Sequence, residues 1–390
     1  MRTTVFLSAA LLAALTACST DKNGTTDPNA SLSARRADDS EASRRGNDHG
    51  GTVYVLSNST TANAVLAYPR HTDGTLGTPS SIPTGGRGTG AGLGNQYGLV
   101  LDDDGEMLFG VNAGSDDISA FRVDDGALRQ TDRVWSGGNQ PISIAVRNHL
   151  VYVLNDGATA NISGFYLSER GKLTPIPGSI RARSAPVGAI DGAEIKFSPD
   201  GRTLVVTEKA ANLLVTYPVL PNGRTGEPTV HASSGPTPFG FDFADNGTLV
   251  VSEAAGGAAG ASTVSSWNVD RRSNLNLVSA SLANGGSAVC WIVVSSDGKT
   301  AYAANTGSQT VSTFNIARNG ALSLTAAVAG SVGAGTAPSD LSLSAGDRFL
   351  YVRSGATNSI AIFATGSNGT LTPVATTAGL PAGANGIAAR

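Results

Sequence analysis

The chain is short of charge, of sulfur and of long apolar runs, and each shortage excludes something. Charged residues make up 15% and the formal net charge is −3. With no long basic stripe and no stacking platform, there is no electrostatic case for a nucleic-acid partner. Only two cysteines occur, Cys18 and Cys290. If Cys18 is used elsewhere, Cys290 has no partner for a disulfide, and its apolar setting (Val289-Cys290-Trp291-Ile292) reads as a buried, inert thiol. The four histidines, His49, His71, His149 and His231, show no metal-ligand spacing. No metal site and no cofactor is therefore expected. The nucleophile elbow Gly-x-Ser-x-Gly is missing too, so a serine hydrolase triad is not indicated.

Glycine is what the chain has in excess, 49 of 390 residues, against a usual share of about 7%. Much of it punctuates a repeat. A short apolar strand recurs as VYVLS at 53, LFGVN at 108, VYVLN at 151, LVVTE at 204, LVVSE at 249, AYAAN at 301 and LYVRS at 350. A following strand carries an aromatic at Tyr68, Phe121, Phe165, Tyr217, Trp267, Phe314 and Phe363, spaced by about 44–53 residues. Turns such as Asp73-Gly74, Asn222-Gly223 and Asn319-Gly320 come next, and these residue types tolerate positive φ. A leucine then usually restarts extension; the fourth unit has Thr225 there. Counting a strand ahead of each of the seven, every unit holds four short strands.

One four-stranded sheet of this size cannot bury both faces. Stacking seven radially does so without a long exposed edge. An open solenoid is disfavoured because its rungs are shorter, about 20–25 residues. The fold expected is all-β: a seven-bladed propeller of four-stranded antiparallel blades over residues 51–390. The folded part begins with a second-type strand at Gly51–Leu56, and Asn385-Gly386-Ile387-Ala388-Ala389 matches a first-type strand. The C-terminal strand should therefore join the N-terminal blade and close the ring.

The apolar run Val5–Leu15 is too short to span a bilayer and reads as a secretory signal. It ends in Leu15-Thr16-Ala17-Cys18, which resembles the bacterial lipoprotein box. That resemblance implies a signal peptide over 1–17, a lipidated Cys18 and a membrane partner through the lipid. Ser19 after the cysteine implies the outer membrane in a Gram-negative cell. A plain signal peptide with an incidental cysteine is the alternative. Residues 18–50 are polar and aperiodic and read as a disordered tether.

Antiparallel pairing through a short hairpin puts first-strand starts and second-strand ends on one face. Their polar residues should then gather at the mouth of the central tunnel. Glu194 and Glu208 flank the Asp200-Gly201 turn almost symmetrically, so they are expected as cross-strand neighbours. Such a pair raises the pKa of one member, as a general base or acid requires. Lys209 or Arg353 would stabilise an oxyanion. Asn112, Asn155, Glu253, Trp291, Asn305 and Asp340 complete the mouth as ligand-binding candidates. The alternative is that these are simply solvated polar residues. Gly85–Gly94 lacks the strand-then-helix setting of a phosphate loop and reads as a long connection between the first two blades, able to fold over one face of the ring. Asp102-Asp103-Asp104-Gly105 lacks the downstream glutamate of a calcium loop and reads as a hairpin turn.

The run Ala193–Arg202 (AEIKFSPDGR), with the YVLN, YAAN and LYVRS strands and the Asn-Gly-x-Leu turns, resembles the seven-bladed lactonase-like propeller family and its surface-layer YVTN relatives. The resemblance runs from Gly51 to the C-terminus. It implies lactone chemistry, since the family includes 6-phosphogluconolactonases and carboxymuconate-lactonising enzymes. Where lactone-converting members commonly carry a histidine, four residues before the motif's phenylalanine, this chain has Ala193. Two functions follow as expectations. One is an envelope-anchored module that binds a small ligand or an envelope protein. The other is a lactone hydrolase using Glu194 or Glu208.

Overall fold

The computed structural model describes residues 50–158, 160–184 and 191–390. The leader, Cys18 and the tether up to residue 49 lie outside the described residues. Seven antiparallel sheets follow one another around a ring. Blade 1 takes its inner strand from the far end of the chain: Asn385–Ala389 pairs antiparallel with Gly51–Leu56, Tyr54 opposite Ala388. The expected closure is thus present. Blades 2 to 7 start from inner strands at Leu99, Pro141, Gly192, Pro238, Val289 and Pro338.

Each second strand is the middle of a sheet whose two faces are covered by neighbouring blades. Met107–Asn112, Thr203–Glu208, Thr248–Glu253 and Phe349–Ser354 are accordingly buried at every residue. Outer strands such as Leu322–Ser331 are exposed along most of their length. Blade 3 departs from the plan. Its outer strand is split into Leu173–Pro175 and Arg181–Ala182, both paired to Asn161–Leu167. Pro175 and Pro177 break the ladder because proline lacks the donor.

The repeat aromatics fill the contacts between blades. Phe121, Tyr217 and Phe314 are fully buried, and Phe314 clusters with Val250 and Val264 of blade 5. The Asx-Gly turns also serve the seams. Their glycines need positive φ, as at Gly74 (+87°) and Gly223 (+70°). The carbonyls they present accept from the preceding blade: Tyr152 Oη donates to Gly223 O at 2.7 Å, and Tyr351 Oη to Gly74 O at 2.9 Å. The second of these bridges blade 7 to blade 1. Asp102 closes a hairpin turn by accepting from the Glu106 and Met107 amides, as expected.

Phe314→Ala should destabilise the ring by about 3–5 kcal/mol, the usual cost of truncating a buried aromatic. Urea unfolding measures it. A loss below about 1 kcal/mol would show that the aromatic does not hold blades 5 and 6 together.

Candidate functional site

Inner strands carry a feature that their hydrophobic pattern does not display. Pairing shifts by an extra residue between Pro141 and Ser143, Gly192 and Glu194, Pro238 and Phe241, Val289 and Trp291, and Pro338 and Leu341. Each is a β-bulge at the same level of the ring. A bulge re-aims the side chain that follows it.

This corrects the expected carboxylate pair. Glu194 lies opposite Thr207, whereas Glu208 lies opposite Gly192. Neighbouring residues of a strand face opposite sides, so Thr207 and Glu208 diverge and the two carboxylates part. Glu194 accepts the Phe241 amide of blade 5 at 2.7 Å. Glu208 turns the other way and accepts the Ser184 amide (3.2 Å) and hydroxyl, at the end of blade 3's outer strand.

Glu208 is one case of a general seam rather than part of an open rim. In blade 2, Asn112 Oδ1 accepts from Thr84 Oγ1 (2.7 Å) and Asn63 Nδ2 (2.9 Å) of blade 1. In blade 3, Asn155 Nδ2 donates to Ser136 O (3.2 Å), just past blade 2's outer strand. In blade 5, Glu253 accepts from Ser233 (3.4 Å), Thr263 (2.5 Å) and Ser265 (2.7 Å). In blade 6, Asn305 Oδ1 accepts from Asn284 Nδ2 (2.8 Å) at the end of blade 5's outer strand. All of these second-strand ends have a relative exposure of 0%. They tie blades together. They stand at the strand ends where the sequence pattern puts them, but they line the seams between blades and not a shared mouth.

The tunnel itself is occupied. The chain leaving the glycine-rich connection crosses the axis as Asn95-Gln96-Tyr97. Gln96 Nε2 donates to Ile292 O (2.7 Å) and its Oε1 accepts the Ile292 amide (3.1 Å), while the Gln96 amide bonds Ala193 O at 3.1 Å. Trp291 Nε1 donates to Asn95 O (2.8 Å), and Asn385 Nδ2 to Asn95 Oδ1 (2.9 Å). Ile144 donates its amide to Tyr97 O at 3.0 Å. Inner strands of blades 1, 3, 4 and 6 thus hold this plug. Blade 5 makes room with Gly240, where a Cβ would lie 2.0 Å from Gln96 Oε1. The glycine-rich stretch reached over one face, as its sequence allowed. Its filling of the tunnel was not foreseen, because nothing in Asn-Gln-Tyr marks a contact with blades 40 to 290 residues away.

The other candidates are likewise engaged. Lys209 Nζ donates to Gly94 O (2.5 Å), pairs with Asp191 (3.1 Å) and sits 4.7 Å from the Phe239 ring centroid. Trp291 packs on Phe239 with centroids 5.0 Å apart. Arg353 donates to Ala384 O (2.6 Å) and Ser339 O (2.5 Å), clamping the segment that leads into the closing strand. Burial pushes the Asp340 carboxyl up to about 7, against the pull of Arg353. Cys290 is a free, buried thiol pushed up to about 11 by burial.

Below the plug, Lys196 Nζ pairs with Asp242 (2.7 Å) and donates to Tyr97 Oη (2.8 Å). Burial works against the Lys196 charge, but Asp242, Tyr97 and Glu194 outweigh it and hold it protonated. Glu194 is the strained member. Burial drives its carboxyl well above the ordinary value, Lys196 pulls it back in part, and Asp242 and Asp340 push it further. Its Oε1 has no partner among the described residues.

A carboxyl with a raised folded pKa keeps a proton that the unfolded chain releases. Stability therefore falls as pH rises from the unfolded value towards the folded one. Glu194→Gln removes that slope and keeps an acceptor for the Phe241 amide. The melting temperature of the variant relative to the parent should rise as the pH is raised above the ordinary carboxylate range. A difference independent of pH would contradict the buried, protonated Glu194.

The model of the family described as "Lactonase, 7-bladed beta-propeller" matches residues 160–256 and 260–381, more than half of the chain. Among solved structures, a protein of Lactobacillus plantarum superposes with TM-score 0.70 at 19% identity, over 86% of this chain and 98% of that one. A candidate 6-phosphogluconolactonase of Bacteroides uniformis gives 0.67 at 20%, over 86% and 99%. The periplasmic gluconolactonase PpgL of Pseudomonas aeruginosa gives 0.66 at 18%, over 86% and 98%. These likenesses concern the fold. No curated protein matches the chain.

Proposed function

We propose, from the premise that the chain belongs to the lactonase family of seven-bladed β-propellers, that it works as a binding module of the cell envelope. A rigid ring presents its loops to a ligand or partner, and the polar residues near the tunnel serve the ring. One observation carries this. Glu194, Glu208 and Glu253 are 0% exposed and Asp340 is 2% exposed, and Asn95-Gln96-Tyr97 fills the axis they would have to share with a substrate. A general base must come within hydrogen-bond reach of the water it activates. Lys209 and Arg353 already bond carbonyls of their own chain, which removes them from an oxyanion.

The envelope location rests on the Leu-Thr-Ala-Cys ending and on the apolar run before it. In this reading Cys18 carries lipid, the polar stretch to residue 50 is the tether, and the outer membrane is the site of anchoring. Reach is adequate, because a flexible tether of this length spans roughly 30 Å.

A second reading, hydrolysis of a sugar or aliphatic lactone, is favoured by the family itself and by the gluconolactonase among the structural neighbours. A panel of gluconolactone, 6-phosphogluconolactone and butyrolactone separates the two. The binding reading predicts no turnover above spontaneous ring opening. Turnover that falls at least about 100-fold in Glu208→Gln or Glu194→Gln, with the fold intact, would replace it with the hydrolase.

A further inference from the structure

On the tunnel-mouth face a groove runs between the rims of blades 1 and 2. It consists of two depressions that share Ser115 and Arg133, of about 350 and 440 Å³. Blade 1 contributes the loop Gly85-Gly86-Arg87 and Pro83; blade 2 contributes Arg133 and Trp135 from the end of its outer strand, Ala127–Trp135. Arg133 and Trp135 are two apart on that strand and so share one face. Their cross-strand partners, Ser119 and Asp117, lie on the same side.

The lining has three properties that the rest of the ring does not explain. First, the Arg87 side chain is exposed and makes no hydrogen bond or ion pair among the described residues. Its backbone, by contrast, is fixed by the Ser115 hydroxyl (2.9 Å) and by the Gly114 amide (2.9 Å). Second, Arg133 is aimed by a 2.7 Å contact with Asp117, which uses one nitrogen of a fork with five donors. Third, Trp135 is 61% exposed, yet its indole N–H is satisfied by Gly138 O at 3.1 Å. The polar edge of the indole is thus satisfied, and an apolar surface faces water. Two guanidinium groups along one groove with a bare indole at its end match carboxylates carried on a ring whose C–H face stacks on tryptophan.

We propose that this groove binds an acidic glycan, a uronate-bearing oligosaccharide, with carboxylates on Arg87 and Arg133 and one pyranose ring on Trp135. An open, elongated groove suits a segment of a polymer better than a small enclosed molecule. A pyranose ring presents a flat C–H face that covers the exposed indole of Trp135, whereas the side chains of an acidic peptide engage only the two guanidinium groups. This site deepens the binding reading and rests on it. The lactone panel tests that reading; the titration below tests the glycan.

Calorimetric titration of the full chain at low ionic strength uses hexagalacturonate, neutral maltohexaose and a glutamate hexapeptide. Hexagalacturonate should bind. Arg87→Ala and Trp135→Ala should each weaken it roughly tenfold or more at an unchanged melting temperature. Maltohexaose and the peptide should bind at least roughly tenfold more weakly than hexagalacturonate. A silent hexagalacturonate titration overturns the site while leaving the absence of hydrolysis where the panel put it. So does binding indifferent to both substitutions. Equal binding of the glutamate peptide overturns the glycan assignment and makes the groove a site for acidic protein segments.

Discussion

A polar side chain sealed from water must find partners inside the protein, and a stacked ring of sheets seals one at the end of nearly every second strand. An unsatisfied buried amide or carboxylate costs on the order of 1–3 kcal/mol or more. The chain answers each with a residue from the preceding blade: Thr84 for Asn112, Ser136 for Asn155, Ser184 for Glu208, Ser233 for Glu253, Asn284 for Asn305. The carbonyl of the next blade's turn glycine answers the tyrosines on the opposite side of the sheets. The seam between blades 3 and 4 is hydrogen-bonded at both ends, by Glu208 with Ser184 and by Tyr152 with Gly223, around an apolar centre. Such contacts tie neighbouring blades together, and the pairing of Asn385–Ala389 with Gly51–Leu56 closes the ring.

Much of this was legible in the chain. Alternating apolar residues, Asx-Gly turns and one aromatic per repeat gave the blade number, the strand order and the closing strand at Asn385–Ala389, because each is a local pattern with a fixed period. The candidate site was legible only as a set of strand positions. The bulge between Gly192 and Glu194 adds one residue without any mark in the hydrophobic pattern, and one residue is enough to send Glu194 and Glu208 to opposite sides. The plug was hidden for a different reason. Its contacts, such as Gln96 with Ile292, join residues far apart in sequence, and short-range reading carries no information about such pairs.

Family membership and local chemistry then point in different directions. Belonging to a lactonase family of propellers describes the scaffold, and a scaffold hosts more than one function. Of the residues that the sequence offers for hydrolysis, Glu208 lies in a seam, Glu194 accepts the Phe241 amide, Lys209 bonds the plug's leading segment and Arg353 clamps the segment before the closing strand. At the rim of blades 1 and 2, Arg87 and Trp135 are presented to solvent beside Arg133, which Asp117 aims. A binding role places specificity on the rim, where substitution costs the fold little, and leaves the interior to stability.

The plug is the decisive element, since an open tunnel would expose Glu194, which lies beside Lys196 and Tyr97. Hydrogen exchange of the Ile292 amide, held by Gln96 Oε1, and of the Ile144 amide, held by Tyr97 O, reports whether it stays in place. A plug that stays in the tunnel should give both amides protection equal to that of the buried second-strand amide of Val205. Exchange of both within seconds, while Val205 stays protected, would mean that the plug leaves the tunnel on its own and that the mouth is open to a substrate.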